Sequence, residues 1–177
     1  MISPQQEVII DVLVDHKPGV LYTVSNLFRR RGFNISSVAI GTSEKDRVAR
    51  MTLTMRGDEK EAAQLAKHLE NLVDVIRAEI VDSSKAVVRE LALVKMMPKP
   101  EDRPQILSFV DVYRARIVHL SDESIIVEAS GDSDKIDAFI ELSRNFGLKE
   151  VARTGLTALS REQKQTESQS QGNDVGW

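Results

Sequence analysis

Two short stretches of this 177-residue chain combine turns and polar groups suited to holding a small charged molecule. The first, His16-Lys17-Pro18-Gly19, lies between an alternating apolar run and an amphipathic one. Pro18 preorganises a turn, and Gly19 lets another backbone come close. The N–H groups of Val20 and Leu21 then stand exposed at a helix start, where the helix dipole favours a carboxylate. The second stretch, Arg31-Gly32-Phe33-Asn34-Ile35, places Asn34 at a strand entrance, fifteen residues beyond Gly19. An amide both donates and accepts, which suits a zwitterion carrying a carboxylate and an ammonium. On spacing alone both features have plainer readings: a tight strand-to-helix turn, and an asparagine tolerating an unusual turn conformation.

Nothing else is equipped for chemistry. His68 and His119 are isolated, without partners at metal-ligand spacing, and read as surface or strand-edge residues. No Ser/His/Asp arrangement, phosphate-binding glycine loop or spaced carboxylate pair emerges. The absence of cysteine removes disulfides, thiolate catalysis and Cys-ligated metals, and suits a reducing cytosol. Aromatics at 5% argue against a base-stacking surface, and a net charge of −3 gives no field for polyanions, so no nucleic-acid partner is expected. Met1 to Gln6 lacks the basic flank and apolar run of a signal peptide. No run approaches about 20 apolar residues, so no membrane partner is expected and the predicted compartment is the cytoplasm.

The elements that must position the two stretches are legible from periodicity. Val8 to Val14 reads as a central, largely buried strand. Val20, Leu21, Val24, Leu27 and Phe28 recur at helical spacing, Arg29 to Arg31 suit the negative end of that helix, and Gly32 stops it. Phe33 to Ile40 reads as a second strand. In the third, Ala49, Met51, Leu53 and Met55 face one way and Arg50, Thr52, Thr54 and Arg56 the other. Asp58 and Glu61 form a capping-box pattern before a helix whose buried stripe is Ala62, Leu65, Ala66 and Leu69, and Val73 to Val81 is a fourth strand. The order βαββαβ is ferredoxin-like.

Past Asp82-Ser83-Ser84-Lys85 the pattern restarts: a strand over Val87 to Met96, a Pro-punctuated loop and a helix around Gln105 to Tyr113. Strands at Ile117 to Leu120 and Ser124 to Ser130 follow, then a helix from Ser133 to Asn145 and a last strand from Lys149 to Leu159. A shift of 74 residues lays Gly57-Asp58 on Gly131-Asp132, and Met51, Leu53 and Met55 on Ile125, Val127 and Ala129. This is a repeat of architecture more than of residues. The second half has no Pro-Gly turn at its first helix, so if the first half holds a ligand, the second does something else. The predicted organisation is α+β: a domain over 1–82, a linker at 83–86, a second ferredoxin-like domain over 87–161, and a disordered tail over 162–177 that includes Trp177.

With these motifs in place, the chain resembles the small regulatory subunit of acetohydroxyacid synthase (acetolactate synthase). The resemblance is carried by Lys17-Pro18-Gly19-Val20-Leu21, Arg31-Gly32-Phe33-Asn34-Ile35, Arg50-Met51-Thr52 and Arg89-Glu90-Leu91-Ala92-Leu93-Val94-Lys95. Lys135-Ile136-Asp137-Ala138-Phe139 and Glu150-Val151-Ala152-Arg153-Thr154-Gly155 extend it, so that it covers about Glu7 to Arg161. It implies an N-terminal ACT domain, an amino-acid sensor, and no catalytic site on this chain. It implies a catalytic large-subunit partner, activated by this chain and made inhibitable by valine or a related branched-chain amino acid. The reaction served condenses pyruvate with a second 2-oxo acid. No cofactor is expected on this chain, with thiamine diphosphate, Mg and FAD on the catalytic subunit.

By the same resemblance the effector lies between two ACT domains, the Pro-Gly turn of one facing the second-strand asparagine of the other. The implied contact set is His16, Pro18, Gly19, Val20, Leu21, Asn34 and Ile35, with Leu21 and Ile35 on the apolar side, in a homodimer. His16 departs from the family pattern, which more often has asparagine there; imidazole adds size and a titration near neutral pH. The competing readings are a stand-alone amino-acid sensor, a ferredoxin-like phosphatase and an RNA-recognition domain. The phosphatase lacks an anion-cradling loop with paired Arg and Asn. The RNA reader should carry aromatics where the third strand has Arg50, Met51, Thr52 and Leu53.

Overall fold

The computed structural model describes residues 6–161; the expected tail over 162–177 and the stretch Met1 to Gln5 lie outside the described residues. The first half runs β1 (Gln6–Asp15), α1 (Val20–Arg31), β2 (Ile35–Thr42), β3 (Val48–Gly57), α2 (Glu59–Glu70) and β4 (Val75–Val81). The second runs β5 (Ala86–Met96), α3 (Arg103–Val112), β6 (Arg116–Leu120), β7 (Ile125–Gly131), α4 (Ser133–Ser143), β8 (Leu148–Arg153) and β9 (Thr157–Ser160). The sheets are antiparallel, ordered β2-β3-β1-β4 and β6-β7-β5-β8, with β9 also on β5. The class is α+β, and each half is the ferredoxin-like βαββαβ unit that periodicity predicts.

Each half has its own core. Ile10, Val12 and Val14 of β1 and Met51, Leu53 and Met55 of β3 pack under Val24, Leu27 and Phe28 of α1 and Leu65 and Leu69 of α2. In the second core Val94, Met96, Ile125 and Val127 meet Ile106, Phe109, Ile136 and Phe139. The scarce aromatics gather there: Phe109 stands 5.2 Å from both Phe139 and Phe146, ring centroid to centroid. Such pairs add to plain burial.

Helix ends follow the local chemistry. The capping box at α2 is complete: Asp58 Oδ1 accepts from Glu61 N–H at 2.7 Å, and Glu61 Oε2 accepts from Asp58 N–H at 3.2 Å. Asp132 caps the start of α4 with a single bond, accepting from Lys135 N–H at 2.9 Å. Gly32 ends α1 at φ +72°, and Phe33 donates back to the Phe28 carbonyl, so β2 begins at Ile35 rather than Phe33.

Two expectations are corrected. The run from Lys149 to Leu159 is two strands, broken where Gly155 turns through φ +76°; both halves still pair with β5. On the face of β3 turned away from the core, Thr52 and Thr54 are nonetheless buried. Leu156, between β8 and β9, and Ala158 of β9 pack with Ile9 on that face, and the Ala158 N–H reaches Thr52 Oγ1 at 3.5 Å. The second half thus covers part of the first sheet's outer face. His68 is half-buried on α2, deeper than a surface reading, and its Nε2 is among the buried side-chain atoms without a partner.

Candidate functional site

The β1–α1 turn is held from outside itself. The Asp15 N–H donates to the Asp74 carbonyl at 2.9 Å, and His16 N–H to the Arg47 carbonyl at 2.7 Å. Lys17 Nζ bridges Asp74 at 2.7 Å and Asp15 at 3.2 Å. The hydrogen bond to Asp74, then the one to Asp15, raises the Lys17 ammonium above its ordinary range. His16, Lys17, Pro18 and Gly19 are exposed, and Gly19 takes φ +89° with nothing within 4 Å of where a Cβ would stand.

Gly19 is the N-cap of α1 and supplies no side-chain cap. The Val20 N–H turns back to the Lys17 carbonyl at 3.5 Å. Among the described residues, the N–H groups of Leu21 and Tyr22 find no acceptor. The Val20 side chain enters the core, while Leu21 and Tyr22 are 45% and 74% exposed. Four N–H groups at a helix start need partners from elsewhere. At α2 and α4 a carboxylate answers part of that need; at α1 none does.

Asn34 is exposed and makes no side-chain hydrogen bond among the described residues; Ile35, half-buried, packs against the first core. The structure brings His16, Pro18, Gly19, Val20 and Leu21 together but keeps Asn34 and Ile35 apart from them. The twelve residues of α1 separate the two groups, a length of about 18 Å. Strand register agrees: Ile35 pairs with Met55, which pairs with Val8 at the start of β1, whereas His16 bonds Arg47 at the far end of β3. One small molecule cannot touch both groups within a single chain.

Two charged clusters escaped sequence reasoning. Asp11, buried on the outer face of the first sheet, accepts from Arg50 Nη1 at 2.5 Å and lies 3.5 Å from Arg77 Nη2. Its other carboxylate oxygen, Oδ1, is buried without a partner. Burial raises the Asp11 carboxyl above the usual range, and Arg50 and Arg77 pull it back only in part. In the second half Arg153 binds buried Glu90 through Nε and Nη2 at 2.8 and 2.6 Å, and Asp137 through Nη1 at 2.6 Å. Glu90 within the strand Ala86–Met96, like Asp11 within Val8–Val14, was the available signal: a charge inside a largely apolar run needs a partner.

Two grooves flank the segment between β8 and β9. One of about 790 Å³ lies between the halves, lined by Glu7, Ser37, Arg56, Asp137, Arg153 and Gly155 among others. The other, about 520 Å³, follows β2 beneath Thr154 and Thr157. Neither includes His16, Gly19 or Asn34. No helix among the described residues is long and apolar enough to cross a membrane.

Comparison with known proteins accounts for both halves. The family of the AHAS small subunit-like ACT domain matches residues 10–77, and that of the small subunit of acetolactate synthase matches residues 89–162. A probable acetolactate synthase small subunit of Methanothermobacter thermautotrophicus is 49% identical over 154 residues, 86% of this chain and 92% of that protein. The acetolactate synthase small subunit of Mycolicibacterium smegmatis is 39% identical over 152 residues, 86% of this chain and 89% of that one. The crystal structure of the acetolactate synthase small subunit from Thermotoga maritima superposes with a TM-score of 0.84 at 38% identity, covering 89% of this chain and 99% of that chain. The chain, an ACT half joined to a second ferredoxin-like half, belongs to the acetolactate synthase small-subunit family.

Proposed function

We propose that this protein is the regulatory subunit of an acetolactate synthase. It joins a catalytic large subunit, raises its activity, and makes it inhibitable by valine or a related branched-chain amino acid. Condensation of pyruvate with a second 2-oxo acid takes place on the partner, which carries thiamine diphosphate, Mg and FAD. This chain supplies binding and regulation.

The observation that carries the reading is the bare start of α1. Asp58 and Asp132 give α2 and α4 a carboxylate at their first turns. At α1, Gly19 gives none and leaves an open approach to the Leu21 and Tyr22 N–H groups. A free amino acid's carboxylate, placed there, does for α1 what Asp58 does for α2, aided by the dipole. The Asn34 amide oxygen accepts from the ammonium, and Leu21 and Ile35 meet the branched side chain.

Because Gly19 and Asn34 stand at opposite ends of α1, the pocket needs two copies. A two-fold axis brings such opposite ends together, since residue i of one copy meets residue j of the other. β2 is an edge strand, and Val38 and Ile40 are 38% and 46% exposed along it. An open apolar edge of this kind pairs with another strand, and β2 of a second copy fits. Effector binding then favours one arrangement of the pair, and only differential affinity for the arrangements transmits inhibition, with a coupling of about 1–3 kcal/mol.

The test is reconstitution of the full-length chain with its cognate catalytic subunit, following acetolactate formation with and without valine, leucine and isoleucine. Stimulation by this chain and inhibition by at least one of the three is expected. A chain that binds an amino acid yet neither co-purifies with nor stimulates the catalytic subunit is a stand-alone sensor, and the proposal fails.

A further inference from the structure

The segment joining β8 to β9 meets the first sheet next to the start of β2. A methyl group placed on Gly155 would stand 3.0 Å from Ser37 Cβ and 3.1 Å from Ser37 Oγ. A side chain there would be tighter than ordinary contact and would require Ser37 to give by a few tenths of an ångström, and the φ of +76° at Gly155 independently favours glycine. Leu156 follows into an apolar cluster with Ile9 and Ala158, against which Val81 and Val88 pack, and the Ala158 N–H reaches Thr52 Oγ1.

Ser37 lies two residues beyond Ile35, and the β2–β3 pairing shifts register between them. Such an irregularity in a ladder re-aims the strand on either side of it. Ser37 Oγ donates to Thr54 Oγ1 at 2.8 Å, so a change at the start of β2 acts on β3 as well. On the other side Arg153, two residues before Gly155, is clamped to Glu90 of β5 and Asp137 of α4. The chain of contacts runs from Asn34 and Ile35 through Ser37 and Gly155 to Arg153, and so to a strand and a helix of the second half. Packed interfaces of this kind shift between discrete arrangements rather than deforming smoothly.

We propose that Thr154–Ala158 is the joint through which effector occupancy at the start of β2 reaches the second half, with Gly155 against Ser37 as its contact point. The inference rests on the amino-acid site proposed above. It assigns a role to the interface between the halves: the first half senses, and the second feels the outcome through five residues. Loosening or displacing the joint separates effector binding from its consequence.

The experiment compares wild type with Gly155→Ala and Ser37→Val, each as the full-length chain. Gly155→Ala displaces the joint from its own side; Ser37→Val does so from β2, where a β-branched residue suits the strand. Valine binding is measured by calorimetry on the small subunit, and stimulation and inhibition on the reconstituted synthase. Both variants are expected to bind valine and to stimulate, while the valine concentration for half inhibition rises about tenfold, inside the ~5–150-fold span of such couplings. Hydrogen exchange on the wild-type complex needs no variant: valine should change the exchange of the Ala158 amide. Wild-type inhibition curves for both variants, or an Ala158 amide indifferent to valine, overturn the joint. A wild-type chain that binds none of the three amino acids in calorimetry fails at the site instead.

Discussion

Arg153 grips Glu90 with two hydrogen bonds, Nε to Oε1 at 2.8 Å and Nη2 to Oε2 at 2.6 Å, tying β8 to the middle of β5. Glu90 is 5% exposed, so its carboxylate depends on that fork for most of its hydrogen bonding. The hydrogen bond to Glu90, ahead of the one to Asp137, holds the Arg153 guanidinium above its already high range.

Arg153→Lys keeps the charge and loses the fork. It should lower stability by about 1–3 kcal/mol, because a buried acceptor is left part-satisfied. Urea unfolding followed by a probe in the second half measures this. An unmoved midpoint would mean that water replaces the lost bond.

Gly19→Asp should abolish effector inhibition while leaving stimulation of the catalytic subunit in place. No atom lies within 4 Å of a Cβ at Gly19, so the effect is not steric. The new carboxylate competes for the N–H groups that the effector needs and repels the effector's own. The left-handed backbone adds a strain of about 1–2 kcal/mol for a residue with a side chain. Gly19→Asn carries the same strain without the charge, and should retain part of the inhibition. Equal loss in both variants would assign the effect to the backbone; full inhibition in Gly19→Asp would remove the turn from the site.

His16→Ala tests the imidazole beside the Pro-Gly turn. The effector concentration for half inhibition is compared between wild type and variant on the reconstituted synthase, and should rise in the variant if the imidazole touches the effector. If the two proteins respond alike, His16 is only a turn residue whose backbone N–H donates to the Arg47 carbonyl.

Asp11 gives a pH effect of opposite sign to the usual carboxylate. Its folded carboxyl is raised by burial, so the folded chain holds that proton more tightly than the unfolded one. The contribution therefore favours folding on the acid side, and is lost as pH climbs from the ordinary carboxylate value of about 3.9 through the raised one. Asp11→Asn keeps the shape and cannot ionise. The stability of wild type minus that of Asp11→Asn should fall across this window and level off above it, in urea titrations from about pH 4 to 7. A difference that grows with pH would mean that Arg50 and Arg77 outweigh burial.

Local signals in the chain read true wherever neighbours in sequence are neighbours in space. The capping box of Asp58 and Glu61, the stop at Gly32 and the buried rows of β3 all depend on residues within one turn or one strand. What escaped reading depends on residues far apart. Thr52 and Thr54 alternate as a solvated face should, and are buried because Leu156 and Ala158 arrive from a hundred residues on. The break at Gly155 interrupts a run with strand periodicity on both sides, and only the sheet it rests on explains it. For the candidate site the turn, the asparagine and the helix that stands between them were all legible, because each depends on residues close in sequence.

That separation has a further consequence. Under the proposed pocket, a solitary chain would own two mismatched half-sites, one at each end of α1, and a pair would own two complete ones. Sensitivity to the effector would then depend on the concentration of the subunit itself, through the pairing equilibrium.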